Sequence, residues 1–401
     1  MIRRICKVQR MCHSRAIVLA IILGFSGVLS AAEIEWEPEV YPKNHLFPSL
    51  VIGTARVNPS EELFPAWQGD HQGDPQGIVG TSIAGLRKGD KFKLVVVANE
   101  YMKQGKFEGV VAENSGDDVI VHPKITYAYD RLAGVTQATP FDITMELFVN
   151  GESKGEKTVT VTLHGVNDCL FGVDEGDDET TDYSWLFAAY VNENHPWVDR
   201  ILKEALQTGI VSAFDGYQAE SSDDVLLQIF AIWNVMQRHG MKYSDITTTA
   251  AESEGVYSQH VRLFDQAVEG GQANCVDGSV LLGALLRKIG LRSSLVIVPG
   301  HMFLAVDLDD ESIIGIETTL MGEKSIETVD HKKFPVFEKL PARVQERAWQ
   351  SFEGAVAAGT ERLEQDADKF ESDDLQYQII DLAEARRMGI LPIRFDGKAK
   401  D

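Results

Sequence analysis

"QANCVDGSVLLGALLRKIGLRSSLVIVPGHMFLAV", residues 272–306, changes its periodicity once, and that change decides the fold of the second half of the chain. Val280, Leu281, Ala284, Leu285 and Ile289 recur at the three-and-four spacing of one helical face, and Gly290 closes the run. "LRSSLVIV" then reads as a strand, "PG" as a turn and "HMFLAVDL" as the next strand. After "DDES", "IIGIETT" reads as a third strand, with Glu317 between Ile316 and Thr318. One helix followed by three turn-linked strands predicts an α+β domain.

Three side chains in this stretch carry chemistry. Cys275 stands at the predicted helix start, where unpaired N–H groups and the positive end of the dipole favour a thiolate and can hold a developing oxyanion. His301 opens the strand after the turn, and alternation puts it on one face with Phe303 and Ala305. Glu317 is a carboxylate amid apolar strand residues and needs a partner, which an imidazolium provides. A thiolate attacks a carbonyl carbon, a histidine moves the proton to the leaving amine, and a carboxylate orients the ring. Each residue also has a structural reading. A cysteine at a helix start is more often structural than nucleophilic, a strand histidine usually packs, and a strand glutamate can pair with any nearby cation.

Around this core, Asp277 suits the first helical turn through the dipole and is a partner for Arg262 in "QHVRLF" upstream. Gln259 and Gln272 are candidate oxyanion donors by proximity in sequence. A metal site from His260, Cys275 and His301 lacks paired ligands at short spacing.

"QANCVDGSVLLGALLRKIGLRSSLVIVPGHMFLAV" followed by "IETT" resembles bacterial transglutaminase-like domains, over residues 255–325. The matching features are Cys275, Asp277 two places on, the helix exit "LLGALLRKIGL", "PGH" at His301, and an acid before Thr318. The resemblance implies a papain-like core with cysteine on a helix and histidine and acid on strands. It implies hydrolysis of a peptide or side-chain amide, or acyl transfer to an amine, on a protein or peptide substrate without cofactor or metal. The third residue of that family is usually Asp; here it is Glu317. The family includes members without catalysis, so an inactive binding or scaffold protein is the alternative, with Cys275 buried or bridged to Cys169.

The first half of the chain reads differently. From residue 50 to 170, "SLVIGTARV", "KFKLVVVAN", "FEGVVAE", "VIVHPKITYAY", "FDITMELFVNG" and "KTVTVTLHGV" are short and rich in Val, Thr and aromatics, with "RKGD", "NSGDD" and "NGESKGE" as turns. This spacing predicts an antiparallel, Ig-like β-sandwich over 40–172. His122 and His164 read as surface or strand histidines. Residues 173–190, which begin in the charged run "GVDEGDDETTD", read as an acidic linker. The transglutaminase-like domain with its flanking helices is expected over 191–395. "HPWVDRILKEALQTG" and "SSDDVLLQIFAIWNVMQRHG" show helical periodicity, the second with Leu226, Ile229, Phe230 and Trp233 as a core stripe. "PARVQERAWQSFEGAVAAGTERLEQDADKF" and "LQYQIIDLAEARRMGI" also read as helices.

Residues 1–32 read as a signal peptide: Arg3, Arg4, Lys7, Arg10 and Arg15, the apolar run "AIVLAIILGFSGVLS", then "SAA" with a cut after Ala32. The protein is therefore expected in the periplasm or secreted, with association to the cell envelope; an uncleaved N-terminal anchor is the alternative. Removal of those five positive charges takes the formal charge from -23 to -28. That field repels phosphate backbones and argues against a nucleic-acid partner. Cys169 and Cys275 remain after the cut, and in an oxidising compartment they are candidates for one disulfide.

Overall fold

The computed structural model describes residues 33–57, 70–112, 118–176, 179–218, 221–244, 253–309, 312–323, 346–372 and 374–393. Residues 1–32, expected to be a signal peptide, lie outside them. They form a multidomain α+β chain of two compact units. One comprises the stretch up to Asn44 with Ala66–Thr126 and Asp142–Val161; the other comprises His45–Pro65, Tyr127–Phe141 and the chain from Thr162 onward. No helix among the described residues is long and apolar enough to cross a membrane.

The first unit is built on two sheets. One has the order Glu35–Val40, Val79–Ala84, Val119–His122, Asp70–Gly73. The other sets Glu152–Leu163, Thr139–Val149, Lys91–Val96 and Gly105–Val110 side by side. Period-two patterning explains the register. Phe92, Leu94 and Val96 are buried and lie opposite buried Val149, Leu147 and Met145. Asn150 and Gly151, both at positive φ, turn Thr139–Val149 into Glu152–Leu163. Of the surface and strand readings His122 takes the second: it closes the strand Val119–His122 and is fully buried, with Nδ1 3.1 Å from His71 Nε2.

The second unit is organised by an antiparallel sheet in the order Ile313–Ile316, His301–Asp307, Ser293–Val298, Gln378–Asp381. Met302 to Val306 are buried without a break, so this strand is covered on both faces. The helices Cys275–Lys288 and Glu346–Gln365 both pack on the sheet. Glu346–Gln365 lies backbone to backbone on Ile313–Ile316: a Cβ on Gly315 would meet the carbonyl of Gly359 at 2.2 Å. Thr360 Oγ1 accepts from Gly315 N at 3.1 Å. The helices Pro196–Thr208 and Ser222–Arg238 pack together, with Leu226, Ile229, Phe230 and Trp233 in the core as their spacing requires. Trp233 Nε1 donates to Ser351 Oγ at 2.9 Å, which satisfies the buried indole.

Four local readings differ from expectation. "SLVIG" belongs to a helix, Pro48–Gly53, whose six residues are all buried. Proline at the first helical position fixes φ for a helix, and burial on every side removes the alternation that separates strand from helix. The supposed linker is structured. Asp168–Gly176 pairs with Glu179–Asp182 on one side and Val256–His260 on the other, and Ser184–Tyr190 is a largely buried 3₁₀ helix. Asp174, Glu175 and Glu179 sit toward the hairpin end, while Val173, Leu186 and Phe187 supply the core. The second unit also begins upstream of residue 191, since it takes in three stretches of the expected sandwich range. "LQYQIID" is a strand, Gln378–Asp381, because its adjacent isoleucines extend the sheet beside Ser293–Val298, and Asp381 then caps the helix Leu382–Met388.

Candidate active site

Cys275 is the first residue of the helix Cys275–Lys288. Asn274 caps it: its side chain accepts from Asp277 N at 2.8 Å, and Asp277 Oδ2 accepts from Asn274 N at 3.0 Å. This reciprocal capping box fixes where the helix starts and therefore where the sulfur sits. The expected ion pair is present, with Arg262 Nη1 2.6 Å from Asp277 Oδ2. Arg262 N also donates to Asp277 Oδ1 at 2.8 Å, so the fully buried carboxylate ties the strand exit after His260 to the helix start.

His301 lies opposite Val298 across the two-residue turn Pro299–Gly300. Proline followed by a glycine at φ 70° gives the tight reversal that places the ring at the strand start. His301 Nε2 is 2.6 Å from Glu317 Oε2. The Cys275 side chain also acts on the ring as a hydrogen-bonding partner in its electrostatics. These hydrogen bonds to Cys275 and Glu317 raise the His301 pKa to about 10 against the opposing cost of burial. Burial pushes the Glu317 carboxyl up, but the contacts with His301 and Thr319 outweigh it and the net direction is down. Phe303 stacks on the imidazole with centroids 6.4 Å apart, on the shared face that alternation predicts.

Glu317 is not inside the strand. Ile313–Ile316 ends one residue earlier, and Glu317 caps the short 3₁₀ turn Thr318–Leu320. Oε1 accepts from Thr319 N at 3.0 Å and from Thr319 Oγ1 at 2.6 Å, while Glu317 N donates to Ala355 O at 2.9 Å. The turn packs directly on the cysteine helix: Thr318 Oγ1 donates to Cys275 O at 3.4 Å, and Ser279 Oγ to the same carbonyl at 2.7 Å. Gly278 makes this approach possible, since a Cβ there would lie 2.8 Å from Thr318 Oγ1 and 2.9 Å from its Cβ. Gly278→Ala should therefore destabilise by about 1–3 kcal/mol through overpacking, although the same change at an open helical position gains about 0.5–1 kcal/mol. Urea unfolding reads the sign, and a stabilised variant would refute the close contact.

Gln272 is not brought into this arrangement by any hydrogen bond; it is exposed, on a two-residue strand pairing with Lys242–Tyr243. Gln259 donates to the neighbouring His260 O at 3.0 Å. His260 turns to Asp168, with Nδ1 3.3 Å from Oδ1. Among the described residues no group of three His, Cys, Asp or Glu side chains could hold a metal.

Cys169 and Cys275 are free thiols, Cys275 half-buried and Cys169 fully buried with its pKa pushed up by burial, so the disulfide reading is corrected. Cys169 lies within the paired strand Asp168–Gly176, where it donates to Leu170 O at 3.6 Å. His164 is also buried, stacked on Phe47 at 3.9 Å, with Nε2 2.8 Å from His45 Nδ1.

Sequence reasoning missed Asn274, Gly278 and Thr319. The capping pattern N-x-x-D was there to be read. Gly278 acts through its contact with Thr318 on a distant element, which no local pattern marks, and Thr319 acts through Glu317 two residues before it. No protein-family model matches the chain, and no curated protein matches it in sequence.

Proposed function

We propose that the protein is an exported, transglutaminase-like thiol enzyme acting on an amide carbonyl of a protein or peptide, with Cys275 as nucleophile, His301 as acid and base, and Glu317 as the orienting carboxylate. In this reading the second unit is a papain-like core and the first an Ig-like β-sandwich. The observation that supports it is Cys275 at a capped helix start acting on His301, whose Nε2 meets Glu317 Oε2 at 2.6 Å. The Cys275 thiolate attacks the carbonyl carbon and the carbonyl electron pair moves to oxygen. Asp277 N is taken by Asn274, so the amides ahead of it, those of Cys275 and Val276, are the donors for that oxyanion. Collapse breaks the C–N bond, and the amine leaves with the proton from His301. The resulting thioester is resolved by water, giving hydrolysis, or by an amine, giving acyl transfer; His301 takes up the proton of either. The alternative, a catalytically inactive binding or scaffold protein, predicts a buried or bridged Cys275, and the free, half-buried thiol supports the enzyme reading instead.

The test is alkylation of the folded mature chain with iodoacetamide across pH, with Cys275 and Cys169 read separately by peptide mass. Cys275 should label in the native protein at neutral pH, and Cys169 should label after denaturation. A Cys275 that stays silent until the chain unfolds removes the enzyme.

A further inference from the structure

Glutamate is an awkward residue for orienting a histidine. It has one more rotatable bond than aspartate, and a carboxylate free to swing does not fix an imidazole. In this chain the two oxygens of Glu317 have separate partners. Oε2 meets His301 Nε2, and Oε1 takes both the main-chain N–H and the hydroxyl of Thr319. The backbone of Glu317 is anchored as well, through its N–H to Ala355 O on the helix Glu346–Gln365. That helix stands against Gly315 without intervening side chains at Gly359, so the strand end has little room to shift. Thr318 is buried against Gly278 of the cysteine helix, which sets the same turn relative to Cys275.

We infer that Thr319 is a positioning residue that clamps the Glu317 carboxylate and thereby holds His301 toward Cys275. The inference rests on the thiol-enzyme reading for its consequence, but its geometry concerns Glu317 and His301 alone. The hydroxyl and the amide converge on one oxygen and leave the other aimed at the ring. A carboxylate that accepts several hydrogen bonds stays ionised and keeps its partner imidazole protonated. The clamp also accounts for the acid being Glu. Aspartate in this position is one methylene shorter: it still caps Thr319 N two residues on, as aspartate does at helix starts, but loses its reach to His301.

Thr319→Val keeps the β-branched shape and the main-chain N–H and removes the hydroxyl. Thr319→Ser keeps the hydroxyl. Two readouts separate positioning from general folding: the protonation midpoint of His301 by NMR, and the alkylation rate of Cys275 at neutral pH in the full mature chain. Thr319→Val should lower the His301 protonation constant about tenfold or more and slow alkylation, with Thr319→Ser close to wild type and both variants still unfolding cooperatively in urea. Glu317→Asp should behave like Thr319→Val. If Thr319→Val leaves the His301 midpoint in place, or if Thr319→Ser fails to restore it, the clamp is refuted. His301→Ala distinguishes the two levels. Should it leave Cys275 reactivity unchanged, the thiol-enzyme reading fails, while a lowered midpoint in Thr319→Val still supports the clamp.

Discussion

His301→Ala should lower amide turnover by about 10²- to 10⁴-fold, the range for loss of a positioned general acid and base. It should slow Cys275 alkylation at neutral pH as well, because the imidazole that hydrogen-bonds the sulfur is removed. The pH profile gives the sharper signature. The His301 pKa is raised to about 10, by its hydrogen bonds to Cys275 and Glu317, so its titration belongs to the linked set. The wild-type alkaline limb should therefore lie near pH 10, where the acid that protonates the leaving amine is lost. Stability follows the same linkage. A raised histidine contributes fully below its unfolded value of 6.5 and loses that contribution as pH rises through about 10. Glu317, lowered from 4.5, contributes fully above that value and loses its contribution as pH falls through its depressed pKa. The pair thus supports the fold most between about 4.5 and 6.5, with an alkaline decline that His301→Ala should flatten. Urea midpoints measured from pH 5 to 10 check this, and an unaltered alkaline decline in the variant would assign it to other groups.

Local periodicity made the site's elements legible, and its clamps were out of reach. Val280, Leu281, Ala284 and Leu285 announced the helix that carries Cys275, and Pro299–Gly300 announced the hairpin that presents His301. Glu317 was identified as the acid through its apolar neighbours, but its position was misjudged by one residue, since a strand that ends in a side-chain cap looks from sequence like one that continues. "LQYQIID" was misread for a related reason: residues that pair with a sheet edge set by Ser293–Val298 have no local sign of that edge. The charged run at 172–182 shows the limit of composition. Asp174, Glu175 and Glu179 gather toward a hairpin end while Val173 and neighbouring apolar residues build core, so overall charge hid the alternation. The contact of Gly278 with Thr318 depends on elements about 40 residues apart meeting at one point, which is tertiary information.

Asp277→Ala should cost about 3–5 kcal/mol, the range for removing one partner of a buried charge pair. The carboxylate is fully buried and accepts from Arg262 Nη1 at 2.6 Å, from Arg262 N at 2.8 Å and from Asn274 N at 3.0 Å. Alanine leaves a guanidinium and two main-chain N–H groups without that acceptor, and each unsatisfied buried donor carries its own desolvation cost. Asp277→Asn separates charge from shape. It retains one accepting oxygen but turns an NH₂ toward donors, so it should be intermediate. Arg262→Ala should cost less than Asp277→Ala, since the arginine is partly exposed and both main-chain bonds to the carboxylate survive. The order of these three in urea unfolding tests whether Asp277 is the keystone of the helix start or an ordinary first-turn acid worth about 0.3–1 kcal/mol through the dipole. The consequence reaches the sulfur. Asn274 and Asp277 cap each other, so loss of the carboxylate takes the acceptor from Asn274 N and leaves the residue directly before Cys275 held by one bond of the two. Under conditions where Asp277→Asn remains folded, Cys275 alkylation should still fall, because the thiol no longer meets His301 in a fixed geometry. Unchanged reactivity in a folded Asp277→Asn would confine the Arg262–Asp277 pair to holding the fold.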